Sequence, residues 1–263
     1  AAKAKHRIDV AGRQRMLTQR MSKAVCLALP GRDAARWSEE AFLAATTFES
    51  VLSALLNGAE DGSILPATDP EEIAALQEVE ALSDGFTASV KQIASRDLHT
   101  AAMQLVLSRN QQVLQRMNAA VSEIERVSGN RNIDPMVAAT LNQAGRQRML
   151  TQKMAKELCL IAGKLDLLVS RENLAQSMAL FEITMRLLIN GNPERDLWTA
   201  PTIEIASKLS EVQARWERIK PRLLNVLAGG KITEATLLEV VKETDVLLIE
   251  MDDAVALWVD HSD

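Results

Sequence analysis

Apolar residues recur at steps of three and four positions along most of the chain, which is the spacing of one face of an α-helix. In the first stretch, glycine and proline are absent apart from Gly12, and the pattern stops at Pro30-Gly31. The second stretch stops at Asn57-Gly58, a typical helix C-terminus, and the third begins at Asp69-Pro70, where a capping residue precedes proline. Four helices are therefore predicted in the first half, over residues 3–29, 33–56, 69–95 and 97–127.

The segment AGRQRMLTQ occurs twice, at residues 11–19 and 144–152. Nine identities at a spacing of 133 residues, in a chain of 263 residues, indicate an internal duplication. A polar break over residues 128–132 and a restart at Asp134-Pro135 place the boundary between the repeats. We predict an all-α fold of two tandem antiparallel four-helix bundles, over residues 1–130 and 131–263.

The later helices of the second half have diverged most from their counterparts. The third, predicted over about residues 202–228, contains Pro221, which should kink it because proline lacks a backbone donor. The fourth, predicted over about residues 233–259, aligns loosely with the fourth helix of the first half: Met117-Asn118 corresponds to Met251-Asp252.

Composition agrees with helix packing, since 47% of the residues are hydrophobic and only 3% are aromatic. The net charge of -5 argues against a general nucleic-acid surface. Residues 1–36 nevertheless hold nine Lys or Arg and two Asp, a local charge of +7. This asymmetry suggests a basic feature directed at a small anion.

Cys26 and Cys159 occupy the same position in the two repeats. Two buried core thiols are the favoured interpretation, and a disulfide across the pseudo-symmetric pair is an alternative that the sequence leaves open. The three histidines are scattered without metal-ligand spacing, so we expect neither a metal nor a cofactor. No apolar run reaches the length of a membrane span, and the start does not have the pattern of a signal peptide.

Placed on a helix, the repeated segment divides into two faces about 200° apart. The core face, assigned to the bundle interior, consists of Val10, Gln14, Leu17, Met21, Ala24 and Ala28. The second face, termed the Gly-Arg-Gln face, consists of Ile8, Gly12, Arg15, Gln19, Ser22 and Cys26 in the first repeat and of Leu141, Gly145, Arg148, Gln152, Ala155 and Cys159 in the second. Small residues on successive turns allow close approach of another helix, and the simplest partner is the same face of the other repeat.

Pairing of the two Gly-Arg-Gln faces would place Arg15 opposite Arg148. Two guanidiniums in a partly dry interface repel each other and cannot lose their protons, so they need an anion between them. The planar donor fork of arginine and the amide donors of glutamine suit a compact oxyanion. The predicted ligand-binding residues are Arg15, Arg148, Gln19, Gln152, Gly12 and Gly145.

A merely solvated, charge-rich helix face is the alternative for these residues, because Arg and Gln are good helix formers. It is disfavoured because the polar residues of the repeated segment stayed identical while the later helices diverged. The remaining cations of the two helices are assigned to solvated surface or to the rim of the site: Arg13, Arg20, Lys23, Arg146, Lys153 and Lys156.

The segment AGRQRMLTQ, followed by Arg-Met or Lys-Met, resembles the first helix of PilJ-type sensor domains of bacterial chemoreceptors, which are related to nitrate/nitrite sensor kinases. Residues 48–58 and 181–191 are similar to that family as well. The resemblance implies a periplasmic four-helix bundle that pairs through its first helix and binds nitrate or nitrite there. The family's Gly-x-x-Arg-Met core falls on Gly12, Arg15 and Met16, and on Gly145, Arg148 and Met149.

This chain departs from the family pattern in carrying two sensor domains in one polypeptide, where the family usually pairs two chains. An intramolecular pseudo-dimer or a homodimer would each complete the site. The sequence shows neither a membrane helix nor a signalling domain, and a membrane sensor kinase or chemoreceptor is the expected partner.

The leading hypothesis is a non-enzymatic periplasmic sensor for nitrate, and secondly nitrite, linked to signalling or chemotaxis. The alternative is a structural protein that docks a membrane receptor or pilus component, with the arginines fixing only the register. An enzyme is least favoured because the sequence has no nucleophile beside a base, no recognisable carboxylate pair and no phosphate loop.

Overall fold

The computed structural model describes residues 1–28, 33–95, 100–131, 133–191, 194 and 199–261. Within these residues the regular secondary structure consists of eight α-helices with no strand, which confirms the predicted all-α class. The chain divides into two compact units, residues 1–138 and 139–263, termed unit 1 and unit 2. The helices are α1 (Ala2–Leu27), α2 (Ala34–Asn57), α3 (Pro70–Ala94), α4 (Thr100–Arg131), α5 (Pro135–Ala162), α6 (Leu167–Asn190), α7 (Ile203–Leu227) and α8 (Glu234–Asp260).

The helix starts at Pro70 and Pro135 follow from capping by the preceding aspartates. The Asp69 carboxylate accepts the backbone N–H groups of Glu71 and Glu72 at 3.1 and 3.2 Å. The Asp134 carboxylate accepts the N–H of Met136 at 2.7 Å. Each bond satisfies a donor that the first turn leaves open, so both predicted starts are confirmed.

The predicted polar break over residues 128–132 was wrong at its start, because α4 continues to Arg131. Val127 and Ser128 are buried, and their packing offsets the cost of about 1 kcal/mol for Gly129 inside a helix. In unit 2, α7 contains Pro221, which confirms the predicted helix over about residues 202–228, and the kink at that residue stays a prediction. The predicted features at Pro30-Gly31, Asp97 and Pro193 lie outside the described residues.

Unit 1 is a four-helix bundle in which α1 and α3 each pack against both α2 and α4. Its centre is filled by apolar side chains from the four helices, all fully buried: Met21, Phe48, Leu55, Phe86, Val90, Val113 and Met117. Aliphatic and methionine side chains dominate this core, which agrees with the low aromatic content of the chain.

In unit 2, α7 packs against α6 and α8. The ring centroids of Phe181 and Trp216 are 4.8 Å apart, and the indole N–H donates to Glu182 at 3.0 Å. At the 133-residue spacing, Trp216 corresponds to Ser83 of unit 1. The third helices have therefore diverged in where they place an aromatic ring, since α3 buries Phe86 and not the equivalent of Trp216.

A hydrogen bond between the first and second helix is repeated in both units. The Gln14 amide donates to the Phe48 carbonyl at 2.8 Å, and the Gln147 amide donates to the Phe181 carbonyl at 2.9 Å. All of these side chains are fully buried. Gln14 and Gln147 thus have a structural role in the repeated segment, since each amide links the first helix of its unit to the second.

Both cysteines are disulfide-bonded, and the described residues contain no free thiol. The preference for two free core thiols at Cys26 and Cys159 was therefore wrong, although both side chains are buried as expected. The sequence left the disulfide open because bonding depends on the separation and direction of two Cβ atoms, which spacing along the chain does not specify.

A buried ion pair between Arg7 and Glu72 lies at one end of unit 1, and the equivalent positions of unit 2 cannot form it. The Arg7 Nε atom lies 3.1 Å from the Glu72 carboxylate, and the same guanidinium donates to the backbone carbonyls of Leu55 and Leu65. The side chains are 9% and 2% exposed. The equivalent residues at the 133-residue spacing are Thr140 and Ile205.

Glu72→Gln should lower the free energy of unfolding by about 3 kcal/mol, because it leaves the buried Arg7 charge without its carboxylate. The matched control is Glu71→Gln at the neighbouring position. Its side chain is 75% exposed and pairs with Arg126 at 2.9 Å, so the loss should stay below about 1 kcal/mol. Urea unfolding followed by circular dichroism measures both values, and equal losses for the two variants would contradict the assignment.

Candidate functional site

All six predicted site residues are buried. Arg15, Gln19 and Gln152 are 0% exposed, and Arg148 is 1% exposed. Gly12 and Gly145 are buried one turn earlier on α1 and α5. A solvated helix face is therefore ruled out for these positions. Arg15 belongs to unit 1 and Arg148 to unit 2, and the pairing of the two Gly-Arg-Gln faces stays a prediction.

Part of the repeated polar sequence serves the helix itself. The Thr18 hydroxyl donates to the Arg15 carbonyl, and the Thr151 hydroxyl donates to the Arg148 carbonyl, each at 2.8 Å. Thr18 also accepts a hydrogen bond from the Gln19 amide at 3.1 Å. With the glutamines that tie the first and second helices together, these bonds explain much of the identity between the repeats without a ligand. These bonds do not explain why Arg15 and Arg148 are identical in the two repeats.

The guanidinium of Arg148 is held by α8. Its Nη1 atom lies 2.7 Å from the Asp252 carboxylate, and the neighbouring Gln152 amide donates to Asp245 at 3.0 Å. Asp245 and Asp252 are seven residues apart, which places them on one face of the helix. Sequence reasoning missed both carboxylates, because the diverged fourth helix gave no motif that would pair them with α5.

In unit 1, α1 packs against α4, which is the counterpart of α8. A spacing of 134 residues relates the two helices and brings their buried positions into register: Met117 with Met251 and Val121 with Val255, all 0% exposed. This register is the one predicted from the sequence.

At the same spacing, Gln111 and Asn118 stand where α8 has Asp245 and Asp252. Their buried amide oxygens accept no hydrogen bond from any described residue. The arginines of the two repeats therefore differ in the neighbouring helix: α8 offers carboxylates and α4 offers neutral amides.

Each arginine interacts with other parts of the described chain, yet its Nε atom donates to no acceptor there. The amide oxygens of Gln19 and Gln152 likewise accept no hydrogen bond within the described residues. The same atoms are affected in both repeats, so the polar groups of the Gly-Arg-Gln face keep capacity for a further hydrogen-bonding partner such as a small ligand or water.

The assignment of Lys23, Lys153 and Lys156 to solvated surface or rim was wrong, because all three side chains are buried. In unit 1, Glu40 of α2 pairs with Lys23 and Arg20, each at 3.1 Å. The lysine also lies 5.3 Å from the centroid of the Trp37 ring. A carboxylate from a different helix thus allows the lysine to be buried, and the pattern along α1 alone could not reveal it.

Unit 2 buries the equivalent cations with a different carboxylate. Glu157, on α5 itself, lies 2.8 Å from Lys156 and 3.4 Å from Lys153. Burial lowers the pKa of Lys153 to about 8, and the positive charge of Lys156 adds to this effect. Burial also lowers the pKa of Lys156 below its ordinary value. Two lysines therefore share one carboxylate, and its single negative charge does not fully compensate their two positive charges.

Two concave features lie away from the predicted residues. A cavity of about 300 Å³ at one end of unit 1 is lined by Arg7, Glu72 and the end of α4, where the arginine is already bound by carboxylate and carbonyl groups. A groove between α3 and α4 is lined by Glu78, Gln112, Gln115 and Arg116 and is open to solvent. Neither one includes a residue of the Gly-Arg-Gln faces.

No helix in the described part of the chain combines the length and the apolar character that crossing a membrane would require. Nor do the described residues contain a cluster of three or more His, Cys, Asp or Glu side chains that could hold a metal ion.

Comparison with known proteins gives one family, matched twice. The family described as type IV pili methyl-accepting chemotaxis transducer N-term, PilJ, matches residues 1–106 and again residues 135–240. The two matches fall one in each repeat and together cover well over half of the chain, which confirms the tandem arrangement. No curated protein matches this sequence.

The free energy of unfolding should rise between pH 8 and pH 10. Lys153 loses its proton near pH 8 in the folded state, whereas a lysine in the unfolded chain keeps it up to about its ordinary pKa of 10.5. The unfolded state binds more protons in this window, so stability increases with pH, by an amount on the order of 2 kcal/mol. The chain has no Tyr and its cysteines are disulfide-bonded, so lysines dominate this titration.

Urea unfolding at pH 7, 8, 9 and 10 measures the slope of the free energy of unfolding against pH. Lys153→Met should flatten it, and part of the slope should persist because Lys156 remains. Lys242→Met, at an exposed position of α8, is the matched control and should keep the wild-type slope. A slope in Lys153→Met equal to that of the wild type would show that Lys153 is not the titrating group.

Proposed function

The chain belongs to the PilJ family of type IV pili methyl-accepting chemotaxis transducer N-terminal domains, and from this premise we propose that it is a periplasmic sensor for a small inorganic anion. Nitrate is the first candidate ligand and nitrite the second. The proposed site comprises Arg15 and Gln19 of α1 with Arg148 and Gln152 of α5, and Gly12 and Gly145 leave room beside them. The family itself is one of sensory domains in chemotaxis transducers.

The observation that carries this proposal is the burial of an arginine at the same position of both repeats. Arg15 is 0% and Arg148 is 1% exposed. A guanidinium remains charged at any physiological pH, so negative charge close to it stabilises it, as Asp252 does for Arg148. A sensor that pairs its two first helices would bring both positive charges to one small oxyanion, which would then stabilise the paired state.

The chemistry of these residues supports binding rather than catalysis. Arginine and glutamine side chains donate hydrogen bonds, and neither acts as a nucleophile or exchanges a proton at neutral pH. A planar oxyanion such as nitrate matches the donor fork of a guanidinium, and amide N–H groups can satisfy its remaining oxygen. We therefore assign the module no reaction of its own.

A sensor of this kind needs a partner that carries the signal onward. We propose a membrane chemoreceptor or sensor kinase as that partner. The proposed site can be completed in two ways, by pairing of the repeats within one chain as a pseudo-dimer or by formation of a homodimer. Molecular mass in solution, measured with and without nitrate, distinguishes these two arrangements.

Isothermal titration of the ligand-free protein with nitrate, nitrite, chloride and sulfate tests the proposal. We expect heat and a rise in melting temperature with nitrate or nitrite, because a ligand that binds only the folded state stabilises it by mass action. A folded sample that gives neither effect with either nitrogen oxyanion would refute anion sensing. That result would favour the structural alternative, a protein that docks a receptor or pilus component.

Arg15→Ala and Arg148→Ala should each abolish nitrate binding while leaving the helical circular dichroism signal intact. Arg13→Ala is the matched control, since Arg13 lies on the same helix with its side chain 41% exposed. It should bind nitrate within about twofold of the wild type, because exposed charges act weakly. Normal binding by either buried-arginine variant would rule out a site shared by the two residues.

A further inference from the structure

A cavity of about 300 Å³ lies at the end of unit 1 where α1 begins and α4 ends. No residue of the proposed anion site lines this cavity. At about 30 Å³ for each water-sized unit, it has room for on the order of ten non-hydrogen atoms. The cavity therefore suits a small organic molecule better than a single ion, and its lining specifies the chemistry of that molecule.

Both partners of the buried ion pair between Arg7 and Glu72 line the cavity. The two hydrogen bonds from the guanidinium to this carboxylate both end on Oε1, so Oε2 accepts none from Arg7. The guanidinium has five N–H groups, of which two donate to the carboxylate and two to backbone carbonyls. The pair therefore keeps an acceptor position on Glu72 and one donor on Arg7 for a molecule in the cavity.

The two opposite charges favour a ligand that is itself dipolar. A ligand with a single charge meets an opposing one here, because Glu72 repels an anion and Arg7 repels a cation. A ligand that carries both charges can direct its ammonium to Glu72 and its carboxylate to Arg7, with charge-assisted hydrogen bonds at each end. The exposed Lys3 also lines the cavity, and its ammonium adds donors for the carboxylate.

The uncharged part of the lining is mainly aliphatic and includes Leu65, Pro66, Ile124 and Val127. Ile124 and Val127 are buried, whereas Leu65 is 47% exposed. An aliphatic group in the cavity would cover the exposed part of Leu65 and lose its own contact with water. Burial of apolar surface is favourable by about 25 cal/mol for each Å², so this wall favours a ligand with an aliphatic side chain.

We propose that this cavity binds a free aliphatic amino acid of about the size of leucine. Its ammonium group binds the Glu72 carboxylate, and its carboxylate binds the Arg7 guanidinium and the Lys3 ammonium. Its side chain packs against the aliphatic wall. The buried ion pair thus has a second role beyond stability, because it presents one charge of each sign to the ligand.

The second repeat lacks the charged groups of this site. At the positions equivalent to Lys3, Arg7 and Glu72 it has the uncharged residues Met136, Thr140 and Ile205. At the spacing that relates α4 to α8, Trp258 stands at the position of Ile124. The inference therefore concerns the first repeat alone, and it does not depend on nitrate binding by the Gly-Arg-Gln faces.

Isothermal titration of the protein with leucine and with three analogues tests the inference. Isocaproate lacks the ammonium of leucine, isoamylamine lacks its carboxylate, and glycine lacks its aliphatic side chain. We expect leucine to bind and each analogue to bind at least about tenfold more weakly, because each leaves one part of the site without its partner. Isocaproate or isoamylamine binding as tightly as leucine would overturn the dipolar recognition, and equal binding of glycine would overturn the role of the aliphatic wall.

Two variants locate the bound leucine. Leu65→Trp should weaken binding at least about tenfold, because the larger ring occupies the cavity from a partly exposed position. Leu43→Trp is the matched control: Leu43 is 64% exposed on α2 and does not line the cavity, so the affinity should stay within about twofold of the wild type. Lys3→Gln should weaken binding about threefold, since an exposed charge contributes modestly. Circular dichroism without leucine establishes that each variant is folded.

A folded wild-type protein that gives no heat with leucine would overturn the inference and leave the cavity to water alone. Leucine binding that is unchanged in both Leu65→Trp and Lys3→Gln would mean that leucine binds elsewhere, which also overturns it. If Leu65→Trp does not fold, the analogues and Lys3→Gln decide the question. None of these measurements involves nitrate, so their failure would leave the proposed function untouched.

Discussion

Burial of positive charge along the first helix of each repeat is the constraint on which the rest of the structure depends. Removing such a charge from water costs several kcal/mol unless a counter-charge accompanies it. Helices packed around α1 and α5 therefore place carboxylates beside these charges as well as filling a core, as Glu40 on α2 and Asp252 on α8 show. Among the residues that the structure describes, the four most deeply buried cations are Arg15, Lys23, Arg148 and Lys156.

The duplication has met this constraint with different residues in its two copies. The repeated segment and the lysine at position 23 or 156 recur in the two first helices, so these cations are shared, but the carboxylates that accompany them differ. Glu40 on α2 has its functional counterpart in Glu157 on α5, and Asp252 on α8 has only Asn118 as its positional counterpart. The later helices thus differ, among other positions, at residues that accompany these shared charges.

Much of the fold could be predicted from the sequence, because helix starts such as Asp69-Pro70 and the spacing of apolar residues act locally. The candidate arginines could be selected too, since a repeated segment singles them out. The burial of Lys23 and Lys156 could not be predicted, because it depends on which carboxylate another helix or another turn brings near. The continuation of α4 past Gly129 was missed for a similar reason: tertiary burial of Val127 overrode a local stop signal.

The position of Glu157 has a consequence for how each repeat assembles. In unit 2 the two lysines and Glu157 lie on adjacent turns of α5, so the carboxylate is beside both lysines as soon as that part of the helix forms. In unit 1 the Glu40 carboxylate lies on α2, and it reaches Lys23 only when α2 docks. The same electrostatic requirement is therefore a property of one helix in the second repeat and of a helix–helix contact in the first. The counter-ion of Lys156 is part of α5 itself, whereas the Glu40 counter-ion of Lys23 belongs to α2.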